Sequence, residues 1–274
     1  MKLLTMMTGL AATAALFGMA APACAEQVNI NTTGFTPPFG AVGNSVAFSG
    51  TANGVTVNVL ASGWTASRDA NGGLVFAPSY MSRGPLGLGV TSAEELKTNG
   101  INSFDRLDNF EGFDFVLFQF DRNVTITSAV LNETSVLNGV RDNESSVGAG
   151  MSALPWNSRL DLANGAVFDG LSIDFNDVAR YLAPNIFTRP DVPFNLGGLA
   201  GNVWMIGANL NNDDTVTIGN ITSPSYDAFN IQRLTVNTVD AVPEPANWAL
   251  MLAGFGMVGL GLRRRGQPRR TTLA

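Results

Sequence analysis

The chain of 274 residues contains no histidine and a single cysteine, Cys24. Without histidine there is no Ser-His-Asp triad, no Cys-His dyad and no histidine-ligated metal. One cysteine by itself forms neither an intramolecular disulfide nor a cysteine-based zinc site. No other catalytic constellation is visible in the sequence, so we expect a non-enzymatic protein with no catalytic residues.

Charged residues are also scarce, at 14% of the chain, compared with roughly 25% in a usual soluble domain. All 22 acidic residues lie between Glu26 and Glu244. Residues 26–245 contain only 10 basic residues, so this segment carries a net charge of −12. Such a segment repels nucleic acid and anionic membrane surfaces, which excludes nucleic acid as a partner.

Residues 1–25 have the three parts of a secretory signal peptide. A positive charge at Lys2 precedes an uncharged, largely apolar stretch, and Ala23-Cys24-Ala25 ends the segment with the small-x-small pattern of a cleavage site. Cleavage after Ala25 makes Glu26 the first mature residue. Two other interpretations are a buried N-terminal helix and lipidation of Cys24, but the large aliphatic residue that usually stands three positions before a lipidated cysteine is missing.

A second uncharged segment, residues 246–262, lies near the C-terminus. As a helix it extends about 25 Å, which is enough to cross a thin bilayer. Trp248 lies at one end and an arginine cluster at 263–265 follows the other. The positive-inside rule places these arginines in the cytoplasm, together with the tail at 267–274, and residues 26–242 outside the inner membrane.

The residues around this segment resemble the PEP-CTERM sorting signal in its PEP-x-x-W-A form, here at 241–266. The resemblance rests on Pro243, Glu244, Pro245, Trp248, Ala249, Gly254, Gly256, Arg263, Arg264 and Arg265. It implies an exported protein of a Gram-negative bacterium that makes exopolysaccharide. It also implies that exosortase, a membrane-embedded cysteine peptidase, processes the tail. The protein is then expected to act at the cell surface or in the exopolysaccharide matrix of a biofilm.

Between the two ends, the hydrophobic pattern has a period of two. Val55–Leu60 and Val124–Leu131 alternate, and Phe113–Phe120 is a densely aromatic run. β-Branched and aromatic residues fill such runs, while Asn, Gly, Asp and Ser fill the intervals, as strands separated by turns require. The pattern predicts an all-β ectodomain over residues 26–240, an antiparallel β-sandwich of the jelly-roll kind, flanked by the signal helix and the transmembrane helix.

Local signals predict the turns and the few helices. Four Asn-Gly pairs, at 53–54, 71–72, 138–139 and 164–165, fit tight hairpin turns. Ser92–Lys97 predicts one short helical turn, with Ser92 as the N-cap and Glu95 three residues later. Asn176–Leu182 is a second candidate helix, stopped by Pro184.

A second resemblance lies within the predicted β-domain. It is carried by Gly-Leu-Gly-Val at 87–90, Phe-Asp-Arg-Leu-Asp-Asn at 104–109 and the Phe-Asp-Phe-Val-Leu-Phe run that begins at 113. This order resembles a subset of exosortase-dependent surface proteins, in which the block lies in a secreted β-rich region before the PEP tail. The resemblance implies a shared fold rather than a catalytic role.

Four carboxylates lie close together in this block, at Asp105, Asp108, Glu111 and Asp114. Carboxylate oxygens are ligands of Ca²⁺, which takes about six to eight oxygens and needs no histidine. The spacing is not that of an EF-hand loop, so two interpretations stay open: a structural calcium site, or a solvated acidic loop and no cofactor. The alternative function is a carbohydrate-binding β-sandwich module that contains such a calcium ion.

Overall fold

A computed structural model describes residues 25–35, 41–99, 106–110, 112–133, 144–164, 179–182, 191–194, 198–210, 215–218, 221–224, 226–239 and 254–255. Residues 25–239 form one compact unit. The predicted signal peptide, up to Cys24, lies outside the described residues. Of the predicted sorting signal only Gly254 and Phe255 are described, and both are helical. Among the residues described, no helix is both long and apolar enough to cross a membrane.

The described domain consists mainly of antiparallel strands, so the prediction of an antiparallel, all-β ectodomain is confirmed. Its strands are β1 (Gln27–Asn31), β2 (Ser45–Ala52), β3 (Val55–Arg68), β4 (Leu74–Pro78), β5 (Tyr80–Gly84), β6 (Gly87–Thr91), β7 (Leu107–Asp108), β8 (Phe113–Glu133), β9 (Glu144–Gly150), β10 (Ala179–Leu182), β11 (Asp191–Pro193), β12 (Gly201–Ala208), β13 (Thr215–Ile218), β14 (Ile221–Pro224) and β15 (Ala228–Thr238). The domain also contains helix α1 (Ala93–Asn99) and a 3-10 turn (Leu162–Asn164).

Strand β8 organises the sheet. Residues 113–120 of β8 pair with β3 on one side, and residues 115–119 and Val124 pair with β12 on the other. Residues 124–133 pair with β15, and residues 128–130 also pair with β11. Through these partners, 13 of the described strands belong to one continuous sheet that curls nearly into a barrel, rather than to the separate sheets of a sandwich.

The sequence predicts two runs where the structure has one long strand. The polar residues 121–123 separate Phe113–Phe120 from Val124–Leu131, yet β8 continues through them for 21 residues. Arg122 and Asn123 are exposed. The polar interval therefore marks the position where β8 exchanges one pair of partner strands for the other, and not the end of a strand.

Alternate side chains of β8 belong to two different hydrophobic clusters, because successive side chains of a strand point to opposite faces. Val116, Phe118 and Phe120 join the larger cluster, while Phe115 and Leu117 join the smaller one. All five side chains are at most 1% exposed. Burial on both faces of the strand explains the density of aromatic residues in this run.

The local predictions agree with the structure at three places. Asn53-Gly54 connects β2 to β3, and Asn71-Gly72 lies between β3 and β4. Gly54 and Gly72 have φ values of 81° and 83°, which favour glycine. The helical turn predicted at Ser92–Lys97 is the beginning of α1. The Asn-Gly pair at 138–139 and Gly165 of the last pair lie outside the described residues.

The predicted helix Asn176–Leu182 is wrong in the part that the structure describes. Ala179–Leu182 is strand β10, which pairs antiparallel with β9 from Ala179↔Val147 to Leu182↔Glu144. A helix of this length is marginal by itself, because nucleation is costly. The backbone groups of β9 offer a complete set of partners, and this tertiary pairing outweighs a weak local preference.

Gly87, the first residue of the Gly-Leu-Gly-Val block, lies where β6 meets β15. Its φ is +119°, and a Cβ atom at this position would lie 2.1 Å from the carbonyl oxygen of Ile231. The neighbouring residue Leu88 pairs with Ile231 in the sheet. Glycine is therefore required here both by the backbone conformation and by the close approach of a second backbone.

We predict that Gly87→Ala lowers the stability of the domain by about 2 kcal/mol or more, because the backbone of β6 or β15 must move. Gly84 is the matched control, since it pairs with Gly87 across the β5–β6 hairpin and a Cβ there would meet nothing within 4 Å. Gly84→Ala should stay within about 0.5 kcal/mol of the wild type. Thermal unfolding followed by circular dichroism measures both variants, and equal losses would contradict the explanation.

Candidate functional site

The candidate site is a buried cluster of Glu95, Asp108 and Asp114, which we call the carboxylate cluster. One carboxylate oxygen from each residue lies within 4.8 Å of the others. The three residues are 5%, 3% and 2% exposed. Asp108 and Asp114 belong to the predicted calcium group and are brought together. The other two members of that group, Asp105 and Glu111, lie outside the described residues, and the fold adds Glu95.

Strand β8 places Asp114 in the interior. Asp114 occupies the same face of β8 as Val116, which belongs to the larger hydrophobic cluster. Across the sheet it is paired with Thr65 of β3. Thr65 Oγ1 donates a hydrogen bond of 2.5 Å to Asp114 Oδ1 and lies 2.6 Å from Ser79 Oγ. The carboxylate thus takes an interior position in a strand that is otherwise hydrophobic on this face.

Strand β7 and the adjacent loop hold Asp108. Asp108 is paired with Ala228 of β15. Arg106 Nε donates to Asp108 Oδ2 at 3.1 Å, and the N–H of Phe110 donates to Asp108 Oδ1 at 3.1 Å. The side chains of the Arg106–Asp108 ion pair are only 17% and 4% exposed. Both oxygens of Asp108 therefore already accept a hydrogen bond.

The next residue, Asn109, fastens this loop to the distant segment before β15. Asn109 Nδ2 donates to Asp227 Oδ2 at 2.8 Å, and the N–H of Asp227 donates to Asn109 Oδ1 at 2.9 Å. Leu107, on the other side, is fully buried in the larger cluster. In the Leu-Asp-Asn part of the second resemblance, Leu107 therefore packs in the core and Asp108 belongs to the carboxylate cluster. Asn109 links the loop to the segment before β15 by hydrogen bonds.

Glu95 reaches the cluster through a capping box at the start of α1. The N–H of Ser92 donates to Glu95 Oε2 at 2.7 Å, and the N–H of Glu95 donates to Ser92 Oγ at 3.1 Å. The sequence predicts this capping box, which is confirmed, but not the position of Glu95 beside Asp114. One feature of the sequence distinguishes Glu95 from its neighbour Glu94. Lys97, three positions after Glu94, forms an ion pair with it, whereas the residue three positions after Glu95 is the uncharged Thr98.

Burial dominates the electrostatics of the cluster. It raises the pKa of Asp114 well above the ordinary value, and the charges of Asp108 and Glu95 raise it further, against the hydrogen bonds from Thr65 and from the Asp108 N–H. Burial also raises the pKa of Asp108, against the Phe110 N–H and Arg106. Both shifts favour the protonated, neutral form of these two carboxyl groups.

The donor chemistry of the cluster fits a hard divalent cation. All three groups are carboxylates, which Ca²⁺ prefers, and their oxygens lie close enough to share one ion. Each carboxylate also accepts hydrogen bonds within the protein: Asp108 from Arg106 and the Phe110 N–H, Glu95 from the Ser92 N–H and Asp114 from Thr65. Additional oxygens are needed to reach a coordination number of about six.

The described residues do not place these groups in an open polysaccharide cleft. Glycoside hydrolysis needs two carboxyl groups on either side of an accessible bond, and the carboxylate cluster is at most 5% exposed. Trp64 and Trp204 are both 0% exposed and pack in the two hydrophobic clusters, so neither offers a ring face to a sugar. Trp156 is the half-buried tryptophan of the described domain.

Comparison with known proteins identifies the C-terminal segment. Residues 241–265 match the family model of the PEP-CTERM protein-sorting motif. The matched range includes all the residues from Pro243 to Arg265 on which the sequence resemblance rests. No curated protein and no solved structure matches the chain. The chain therefore carries a PEP-CTERM sorting motif, as its sequence predicts.

We predict that, in the absence of divalent cations, the stability of the β-domain falls as the pH rises above about 4, the unfolded pKa of Asp. The raised pKa values mean that the folded state binds more protons than the unfolded state, in which Asp has a pKa of about 3.9. The stabilisation is complete below the unfolded pKa and is lost as the pH rises through the folded pKa. A difference of one between the folded and unfolded pKa of a group corresponds to about 1.4 kcal/mol of stability.

Asp114→Asn should flatten this pH dependence and unfold at a higher urea concentration than the wild type at pH 8, because a neutral amide removes the repulsion and keeps an oxygen for Thr65. Glu94→Gln is the control, since Glu94 is exposed and paired with Lys97. Urea unfolding at several pH values measures the effect. If Asp114→Asn lost stability equally at pH 5 and pH 8, the electrostatic explanation would be wrong.

Proposed function

We propose that this protein is an exported, non-enzymatic protein that exosortase sorts and processes, and that acts at the cell surface or in the exopolysaccharide matrix. The PEP-CTERM motif at 241–265 is the observation that carries the proposal. The signal-like residues 1–25 support export. The lack of histidine and the burial of the carboxylate cluster support a role in structure or adhesion rather than in catalysis.

The apolar segment 246–262 serves as a transient anchor in this proposal. It holds the protein in the inner membrane with the arginine cluster at 263–265 in the cytoplasm until the tail is removed. Glycines at 254, 256, 259 and 261 each weaken a helix by about 1 kcal/mol relative to alanine. Such a helix unwinds more readily at a peptidase than an alanine- or leucine-rich anchor does.

The chemistry of Pro243-Glu244-Pro245 suits recognition by a peptidase. The residue before a proline avoids the α region, so Val242 and Glu244 favour an extended backbone. One carboxylate between two rigid residues is a shape and a charge that a cleft can bind. A plain membrane anchor would depend on apolar length alone and would not need these three residues.

We predict that Glu244→Ala and Pro245→Leu leave membrane insertion intact but retain the longer form in the membrane fraction. Asn247→Ser is the matched control, because Asn247 occupies an unspecified position between Pro245 and Trp248 and should be processed normally. Immunoblots of fractionated cells that contain exosortase measure the two forms. Normal processing of both motif variants would show that the motif is not recognised.

A second candidate function is a carbohydrate-binding module with a structural calcium ion, and the carboxylate cluster favours the calcium part of this proposal. Burial and, after it, the charges of Asp108 and Glu95 raise the pKa of Asp114, and a cation there would offset that repulsion. It would also fix α1, β7 and β8 relative to one another, since each contributes one carboxylate. Binding to purified exopolysaccharide with and without a chelator separates this function from the first.

We predict for this candidate that millimolar calcium raises the melting temperature of the domain at pH 8, because a ligand that binds only the folded state stabilises it by mass action. Asp108→Ala should lose the response, and Glu94→Gln should retain it. Differential scanning calorimetry measures the shift. If calcium does not change the melting temperature of the wild type, the cluster does not bind calcium and is a purely structural group.

A further inference from the structure

The two ends of the folded domain lie side by side. The N–H of Glu26 donates to Thr238 Oγ1 at 3.0 Å, and the N–H of Thr238 donates to the Glu26 carbonyl at 3.0 Å. Beyond these bonds, β1 runs antiparallel along β15 from Gln27↔Asn237 to Asn31↔Arg233. The residue that follows the predicted signal cleavage is therefore bonded to the last strand before the sorting motif.

Other elements reach the same end of the domain. Asn53 Nδ2, in the β2–β3 turn, donates to Glu26 Oε2 at 2.8 Å. The N–H of Val239 donates to the carbonyl of Asn123 at 3.2 Å. We define the tether end by Glu26, Asn53, Asp121, Arg122, Asn123 and Val239.

The opposite end of the domain is far away along β3. This strand has 14 residues and runs from the tether end to the Asn71-Gly72 turn. At about 3.3 Å per residue, its length is about 43 Å. The two Asn-Gly turns thus mark opposite ends of one strand.

Only a short tether separates this end from the sorting motif. Five residue steps lead from Val239 to Glu244, and a chain extends at most about 3.6 Å per residue. Glu244 therefore lies within about 18 Å of Val239 in any conformation. A peptidase that binds Glu244 therefore comes within this distance of Val239.

We propose that the tether end is the interaction surface that the domain presents to exosortase during processing; this inference rests on the proposed function. The surface is polar. Asp121 and Arg122 form an ion pair at 3.0 Å, and Arg122 is 42% exposed. Asn53 is exposed, and Val239, at 43% exposure, is the large apolar residue of the surface. Exposed polar contacts are individually weak, which suits an enzyme that must release its product.

Photo-crosslinking tests this surface, since the predicted mature chain contains no cysteine and an introduced thiol is unique. Thr56→Cys and Ser67→Cys place exposed thiols near opposite ends of β3, about 36 Å apart along the strand. Each full chain is labelled with a thiol-linked photo-crosslinker of about 10 Å reach, less than a third of the separation along the strand. The chain is co-expressed with exosortase whose nucleophilic cysteine is replaced, so that the complex accumulates.

The expected result is an adduct of the mass of chain plus peptidase, at least tenfold more abundant from Thr56→Cys than from Ser67→Cys. A flexible Gly-Ser spacer of twenty residues inserted after Val239 should reduce the Thr56→Cys adduct to the Ser67→Cys level. Equal yields from the two thiols, or a larger yield from Ser67→Cys, would overturn the inference. The unmutated chain is expressed in parallel with active exosortase. If its tail is not removed, the proposed function is wrong. If the tail is removed but the two thiols give equal crosslinking, only the proposed interaction surface is wrong.

Discussion

The pairing of β8 on both sides is the constraint on which the rest of the described domain depends. Its 21 residues first join β3 to β12 and then join β15 to β11. Because backbone partners are available on both edges, the aromatic run can be buried on both faces without leaving polar backbone groups unsatisfied. The same placement turns Asp114 inward, and the pairing of β15 with β1 brings the two ends of the domain together.

The carboxylate cluster is the costly part of this arrangement. Arg106 pairs with Asp108, and Thr65 and the Phe110 N–H supply hydrogen bonds, yet burial and the neighbouring charges still raise the pKa of Asp114. Buried ionic groups rarely add stability over hydrophobic replacements. Because burial raises the pKa of Asp108 and of Asp114, the stability of the domain depends on the pH.

Local chemistry can be predicted from the sequence, and long-range placement cannot. The Asn53-Gly54 and Asn71-Gly72 turns and the Ser92–Glu95 capping box depend on residues that are close in the chain. Glu95 joins Asp114 only because the sheet brings α1 to β8, and no spacing rule connects them. The helix prediction fails at Ala179–Leu182 because the pairing that makes this segment a strand is with β9, which is distant along the chain. The sorting motif is again local, since its residues lie within one short segment and are recognisable from their order and spacing alone.

In the proposed function, a folded acidic β-domain leaves the membrane when its sorting tail is cut. Intact mass spectrometry of the wild-type protein from a host that contains exosortase tests it most directly, because one spectrum reports both ends of the chain. We expect a single species that begins at Glu26 and ends near Pro245, without the arginine cluster. A species that still ends at Ala274 would contradict it and would leave only a membrane-anchored β-domain.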